Sequence, residues 1–238
     1  MKRVFLLLSL LVPSAFAALP QPAGFEFSAG AKFTVAGYAG SAPLSGFPVL
    51  VRISDGSPSG FFYDDLQSKS TGADIAFVDM SGKGLPFEID TWNPSGESLI
   101  WVKLPTMQNG TAFVMCWGSE TSGKTVCGTN PFAAYKGVWH MNASSPPDAS
   151  GSGNAGTAAG GATVATGRIG SALSLPTTSD YVTCGQHQSN AELKDGFTVE
   201  AWVNAASYSG NRCIFGKTDF VSIRTGSQTS FQVTTPGT

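Results

Sequence analysis

Short runs of alternating apolar and polar residues, separated by turn residues, dominate the chain from Gly46 onward. Alternation puts successive side chains on opposite faces of a strand, and Gly, Pro, Asn and Asp interrupt the runs. The pattern predicts an antiparallel sandwich architecture, with one short helical turn between Phe61 and Ser68. The predicted strands cover residues 47–53, 74–79, 85–92, 98–104, 111–117, 172–175, 181–184, 197–203, 213–216 and 220–223.

A change in composition divides the two groups of strands. Residues 144–167 are Ser, Gly, Ala, Asn and Thr almost throughout. Such residues favour turns and irregular backbone, so we expect a long loop here, flanking at most one weak strand. The length of 238 residues allows one large β domain or two of ordinary size.

The N-terminus has the pattern of a signal peptide. Lys2 and Arg3 precede the apolar run Val4–Val12, and Ala15-Phe16-Ala17 forms a small-residue cleavage site. The run is too short to span a bilayer, and no later stretch approaches that length. We expect cleavage near Ala17, no transmembrane segment in the mature chain, and a secreted, periplasmic or cell-surface location.

Charge and composition narrow the classes of partner. Charged residues make up only 13% of the chain and the formal net charge is −2. No window clusters Lys and Arg beyond Lys2-Arg3, so the electrostatic footprint of nucleic-acid binding is missing. The hydrophobic fraction of 42% is enough for a core. We expect no nucleic-acid partner.

The four cysteines permit two disulfides in an exported chain. Proximity in sequence favours the pairs Cys116–Cys127 and Cys184–Cys213, and buried free thiols are an equally good alternative. None of the spacings is C-x-x-C, so zinc and redox motifs are not supported.

Two sets of strings resemble known families. FPVLVRIS, GADIAFVD, LPFEIDTWN and ESLIWVKLP, between Phe47 and Trp117, resemble the bacterial domain of unknown function 2341. GVWHMN, DASGSGNAGT, GRIGSALSL, DYVTCG and GFTVEAWV, from Gly137 onward, resemble a laminin-G-like or concanavalin-A-like jelly roll.

These resemblances imply two consecutive antiparallel β-sandwiches, over residues 18–135 and 136–238. A jelly roll of this type takes about 150 residues, and only about 100 follow Gly137. We therefore expect residues 136–238 to be the N-terminal part of an incomplete jelly roll.

Asp148, Asn154 and Asp180 are the candidate metal ligands. They are expected in loops at the ends of a sandwich, and hard cations prefer oxygen ligands from Asp and Asn. The jelly-roll resemblance implies that some relatives bind calcium there, so calcium is the one cofactor we consider. The alternative is that the three side chains stabilise turns.

Two glycine-rich strings match nucleotide-binding patterns without the required context. Gly118–Thr125 fits G-x-x-x-x-G-K-[ST], which needs a helix directly after the loop. Gly128 and Pro131 follow it and interrupt helices. Gly151–Gly156 fits G-x-G-x-x-G with no strand before it and no helix after it. We expect two surface turns and no nucleotide.

Glu88 and Asp90 begin like the E-x-D-x-x-E strand motif of laminarinase-type glycoside hydrolases, which share the jelly-roll fold. Positions 88, 90 and 92 should lie on one face of a strand, where two carboxylates could act as nucleophile and proton donor. Trp92, Asn93 and Pro94 stand where the second glutamate should fall. A polar strand face of the first module, whose family resemblance includes this same string, is therefore favoured over the hydrolase interpretation.

Neither of the two histidines has a nucleophile motif nearby, and G-x-S-x-G is absent from the chain. His140 is expected in a strand and His187 in a polar loop. The sequence predicts no catalytic residue.

Trp92 is the candidate carbohydrate-binding residue, because it stands next to a turn and its ring could stack on a sugar if exposed. The other tryptophans lie in or at the end of apolar runs and are expected in the core. We expect a non-catalytic exported module that binds polysaccharide or an extracellular protein. The alternative is a structural or adhesion spacer of a larger envelope protein.

Overall fold

The computed structural model describes residues 7–10, 19–119, 122–185, 196–207, 212–217, 221–225 and 230–233. The chain divides into two compact units, residues 1–185 and 186–238. The strands in these ranges pair antiparallel, and the helical residues are confined to two short segments. The predicted all-β fold is confirmed, while the module boundary at residues 135 and 136 stays a prediction.

The first unit contains eleven strands among its described residues. They are β1 (Leu7–Leu10), β2 (Ala29–Ala36), β3 (Leu44–Ile53), β4 (Ala76–Asp79), β5 (Phe87–Thr91), β6 (Ser98–Met107), β7 (Ala112–Trp117), β8 (Thr157–Ala159), β9 (Thr163–Thr166), β10 (Ser171–Ser174) and β11 (Tyr181–Thr183). Helix α1 spans Gly123–Cys127, and a 3-10 turn at Tyr63–Asp65 confirms the expected helical turn. No described helix has the length and apolar character needed to cross a membrane.

Two sheets pack face to face in this unit. Their strand orders are β1-β2-β7-β4, the four-stranded sheet, and β3-β6-β5, the three-stranded sheet. Inward residues of both meet in one core, where the rings of Phe77 and Phe87 have centroids 5.2 Å apart. Burying each large apolar side chain stabilises the fold by roughly 2 kcal/mol. The core includes Phe33, Val35, Val49, Val51, Ile53, Ile100, Val102, Phe113 and Met115.

An irregularity in β5 alters the direction of the side chains beyond it. Ile89 pairs with Ile100 and Thr91 pairs with Leu99, so Asp90 is an extra residue opposite β6. Such a β-bulge bends the strand and changes the side-chain alternation after it. The simple alternation assumed from the sequence therefore fails after Asp90.

The remainder of the first unit follows the sandwich. Strands β9 and β10 form one two-stranded ladder, and β8 and β11 form another. Both β8 and β9 lie within residues 144–167, where we expected at most one weak strand. The predicted strands at 172–175 and 181–184 are confirmed as β10 and β11.

The second unit contains a three-stranded meander of β12 (Arg212–Lys217), β13 (Val221–Thr225) and β14 (Ser230–Val233). Strands β12 and β13 confirm the two predictions there. The predicted strand at 197–203 is wrong, because residues 196–207 have no regular secondary structure. A strand needs a hydrogen-bonding neighbour, and no described strand pairs with this segment.

Candidate functional site

Three charged side chains meet on the outer face of the three-stranded sheet. His140 Nε2 lies 3.2 Å from Glu88 Oε1, and His140 Nδ1 lies 3.2 Å from Asp90 Oδ2. The side chain of His140 is 11% exposed and that of Asp90 is 2% exposed. We call these three residues the carboxylate–histidine triplet.

Aromatic residues surround the histidine of the triplet. Trp101 pairs with Glu88 across the β5–β6 ladder, and its Nε1 donates to Asp90 Oδ2 at 3.1 Å. The His140 ring lies nearly parallel to the Trp101 ring, at 6.3 Å between centroids, and 5.6 Å from the Phe132 ring. Aromatic walls exclude water and strengthen the charge interactions between them.

The geometry favours the protonated form of His140. Both of its ring nitrogens face carboxylate oxygens, so both can donate only in the imidazolium form. Burial lowers the pKa of His140, but the hydrogen bond with Glu88 and the charges of Asp90 and Glu88 outweigh burial and raise the pKa above its ordinary value. With both carboxylates ionised, the triplet has one net negative charge.

Sequence reasoning found part of this cluster. Glu88 and Asp90 share a face, as the spacing predicted. His140 was missed as their partner because it lies 52 residues from Glu88 along the chain, a separation that strand periodicity does not detect. His140 was also expected in a strand, and the structure gives it no regular secondary structure. His187 lies outside the described residues.

A shallow cleft lies where the hairpin between β6 and β7 meets the segment between β2 and β3. Its volume is about 290 Å³ and its lining is uncharged: Tyr38, Gly40, Ser41, Ala42, Pro43, Gln108 and Asn109. Asn109 Oδ1 accepts the Tyr38 N–H at 2.8 Å, and Asn109 Nδ2 donates to the Tyr38 carbonyl at 2.6 Å. The Tyr38 hydroxyl donates to the Ala42 carbonyl at 2.6 Å. These bonds hold the cleft in shape.

Trp92 is half-buried and is not an open stacking surface. Its ring meets Tyr63 edge to face at 5.3 Å between centroids, and its Nε1 donates to the Lys69 carbonyl at 2.8 Å. The expectation that position 92 shares a face with positions 88 and 90 is wrong, because the bulge at Asp90 intervenes. A Cβ at Gly72 would lie 2.4 Å from the Trp92 ring, which shows how closely the backbone covers it.

Asp148 and Asn154 lie together, and both organise turns. Asp148 Oδ1 accepts N–H groups from Val138 and Ser150, and its Oδ2 accepts the Asn154 N–H at 3.0 Å. Burial raises the pKa of Asp148, but hydrogen bonds from Ser150, Val138 and Asn154 outweigh it and lower the pKa.

Asp180 closes a different turn, by accepting the N–H groups of Gly161 and Thr177. Those backbone hydrogen bonds lower the pKa of Asp180. Across the described ranges no group of three or more His, Cys, Asp or Glu side chains is arranged to hold a metal ion. The carboxylates of Asp148 and Asp180 accept hydrogen bonds from backbone N–H groups of their own turns, which fits a turn-stabilising role. The geometry therefore adds no support to a calcium site.

The G-x-x-x-x-G-K-[ST] string contains an unexpected helix. Helix α1 begins at Gly123, although Gly128 and Pro131 had predicted none. It ends after five residues, and the Gly123 N–H donates to the Ala73 carbonyl at 2.8 Å. The preceding strand β7 pairs antiparallel with both of its neighbours. A phosphate loop needs free N–H groups at the start of a longer helix. The absence of a nucleotide here stays a prediction.

The four cysteines are free thiols. Cys116 and Cys127 are buried, Cys184 is half-buried and Cys213 is exposed. Burial, reinforced by Cys127, raises the pKa of Cys116 to about 12. The predicted disulfides are not formed in this structure, and the buried pair fits the free-thiol alternative.

These observations define an almost entirely β protein whose first unit is a sandwich with a charged triplet on one outer face. Residues 71–143 match the model of a family described as Domain of unknown function (DUF2341). That range includes Glu88, Asp90, Trp101, Phe132 and His140, and it crosses the predicted module boundary. No curated protein and no solved structure matches the chain.

Proposed function

We propose that this protein is a non-catalytic exported module that binds carbohydrate through the cleft at Tyr38, Gln108 and Asn109. The observation that carries the proposal is the uncharged polar lining of this cleft. The Gln108 amide is suited to neutral sugar hydroxyls, Tyr38 adds apolar contact area, and Asn109 holds the wall of the cleft.

The size of the cleft limits the ligand. A volume of about 290 Å³ is at the lower end of the range for small-molecule sites, roughly 300–1,000 Å³. One sugar unit of a polymer suits this space better than a long oligosaccharide. The residues lie in loops at one end of the sandwich, where binding residues commonly occur on a rigid scaffold.

The triplet supports a non-catalytic assignment. Glycoside hydrolysis needs one carboxyl group as proton donor and a second as nucleophile or base. Here Glu88 and Asp90 both face the same histidine, and Asp90 also accepts the Trp101 indole N–H. Both carboxylates are thus engaged in contacts within the protein.

Export and the jelly-roll identity of residues 136–238 belong to the same proposal. The N-terminal pattern up to Ala17 supports secretion to the periplasm, the cell surface or the medium. The strings DASGSGNAGT and GFTVEAWV support a lectin-like second module. An extracellular protein is the other partner class that such a surface could bind.

Retention on insoluble polysaccharides and on a glycan array, with and without calcium, tests the proposal. The mature chain should be retained by at least one polymer, and Gln108→Ala should weaken binding about tenfold, as expected for a lost polar contact. Gln67→Ala, at an exposed position outside the cleft, is the matched control and should bind normally. No retention on any polymer, or full binding by Gln108→Ala, would contradict the proposal.

The non-catalytic part has its own test. The mature protein should release no reducing sugar from any polymer that retains it. A hydrolytic rate that disappears in Glu88→Gln would contradict this part and favour the hydrolase alternative.

A further inference from the structure

The histidine of the triplet joins two parts of the first unit. Glu88 and Asp90 belong to β5 of the sandwich, whereas His140 belongs to the irregular chain that follows it. That chain is cross-linked around His140: the Ala149 N–H donates to the Val138 carbonyl, and Trp139 Nε1 donates to the Asn154 carbonyl at 2.7 Å. Anchoring His140 therefore anchors a larger piece, which we call the 138–154 loop.

The contacts of His140 depend on its protons. As an imidazolium, His140 donates a hydrogen bond to Glu88 Oε1, and its Nδ1 forms an ion pair with Asp90 Oδ2. As a neutral ring it has one N–H group, so one ring nitrogen would present a lone pair to a carboxylate oxygen. One attractive contact would then become a repulsive one in a site that excludes water.

Among the described residues, the charges that raise the pKa of His140 are those of Glu88 and Asp90, both on β5. The side chains that face its ring from the neighbouring segments are aromatic, Trp101 of β6 and Phe132. The second oxygen of Asp90 accepts the Thr91 hydroxyl, which leaves that carboxylate fixed in place.

We propose that the carboxylate–histidine triplet is a proton-dependent clasp that fastens the 138–154 loop to the three-stranded sheet and releases it when His140 loses its second proton. The clasp is independent of the cleft at Tyr38 and of the proposed binding function. It makes the docking of this loop sensitive to the pH of the surrounding medium.

The direction of the effect follows from the charges. Raising the pH removes a proton from His140 and opens the clasp. The raised pKa of His140 extends the closed state to a higher pH than an ordinary histidine would allow.

NMR titration of the full chain tests the clasp, because only two histidines are present. His187→Gln leaves His140 as the sole imidazole signal. We expect both ring nitrogens of His140 to be protonated at pH 6 and the titration midpoint to lie above that of a free histidine. The indole N–H signal of Trp139 should shift or broaden with the same midpoint, since this group reports on the 138–154 loop.

Two variants complete the test. Glu88→Gln keeps the size of the side chain and should move the His140 midpoint downward. His140→Gln should remove the pH-dependent step of the Trp139 signal, and if this variant fails to fold, Glu88→Gln alone decides. Three results would each overturn the proposal. They are a His140 midpoint at or below the ordinary histidine value, an unchanged His140 midpoint in Glu88→Gln, and a Trp139 signal that does not change with pH.

Discussion

The hydroxyl of Tyr63 donates a hydrogen bond to Oγ of Ser98 at 2.7 Å in the interior of the first unit. The same Oγ accepts the N–H of Asn93 at 2.8 Å, and the Tyr63 hydroxyl also lies 3.1 Å from the Ile53 carbonyl. One phenol thus connects the 3-10 turn to β3 and β6. Burial raises the pKa of Tyr63, and this effect outweighs the hydrogen bond with Ser98, which lowers it. The phenol therefore stays neutral and keeps the hydroxyl proton that it donates.

Tyr63→Phe should lower the free energy of unfolding by about 1–2 kcal/mol. The substitution leaves buried oxygens without their donor, which costs more than the loss of an exposed hydrogen bond. Urea denaturation monitored by tryptophan fluorescence measures the change. Tyr181→Phe, at a position that is 54% exposed, should change stability by less than about 0.5 kcal/mol. Equal effects of the two substitutions would contradict this account.

Trp92→Phe should destabilise the fold and leave carbohydrate binding intact. The variant keeps an aromatic ring against Tyr63 but loses the hydrogen bond to the Lys69 carbonyl. We expect a loss of about 1 kcal/mol in unfolding free energy and unchanged retention on the polymer that binds the mature chain. Loss of binding at unchanged stability would instead identify Trp92 as a ligand contact.

The stability of the first unit should fall as the pH rises through the His140 pKa. The folded-state pKa of His140 is raised by Glu88 and Asp90, so its contribution is fully present below the unfolded value of about 6.5. That contribution is lost progressively as the pH rises from there through the folded pKa. Urea midpoints measured from pH 5 to pH 9 should show this decline, and His140→Gln should flatten it. A decline of the same size in His140→Gln would assign it to other groups.

The four thiols should differ widely in reactivity. Burial raises the pKa of Cys116 to about 12, and the thiolate is the reactive form. Iodoacetamide at neutral pH should therefore alkylate Cys213, which is exposed, before Cys116 and Cys127. Mass spectrometry of the native protein measures the order of modification. A mass lower by two hydrogen atoms per cysteine pair would show that the oxidised protein forms the disulfides that the sequence allowed.

Gly123→Ala should be strongly destabilising. A Cβ at this position would lie 1.5 Å from the Ile75 carbonyl oxygen, so β4 or α1 must move. We expect a loss of about 3 kcal/mol, at the upper end of the usual cost of overpacking. Gly161→Ala is the matched control, because the nearest atom to its added Cβ is 3.7 Å away. Thermal unfolding of the two variants gives the comparison.

The strands that sequence reasoning found best are those with strong alternation. The five predictions between residues 47 and 117 agree with β3 to β7 to within three residues at each end. Strand β2 was missed because its first half, Ala29-Gly30-Ala31, lacks the large apolar residues that mark a strand. The segment 197–203 had the right alternation but no described partner, and alternation alone does not supply one.

The site was harder to predict than the fold. The pairing of Glu88 with His140 depends on contacts between distant parts of the chain. The bulge at Asp90 is a local irregularity that no residue type marks in advance. The cleft at Tyr38 was missed for a similar reason, since its walls come from residues 38–43 and 108–109. The only sign of the cleft in the sequence was that turn-forming residues precede both β3 and β7.

The pairing of β1 with β2 has a consequence for the processed chain. Residues Leu7–Leu10 lie within the proposed signal peptide and pair with Phe33–Ala36. Cleavage near Ala17 would remove that neighbour, and β2 would become the outermost strand of its sheet. The precursor and the secreted form would then differ in the hydrogen bonds between β1 and β2. The amide protons on the edge of β2 that β1 had covered would exchange with solvent faster after cleavage.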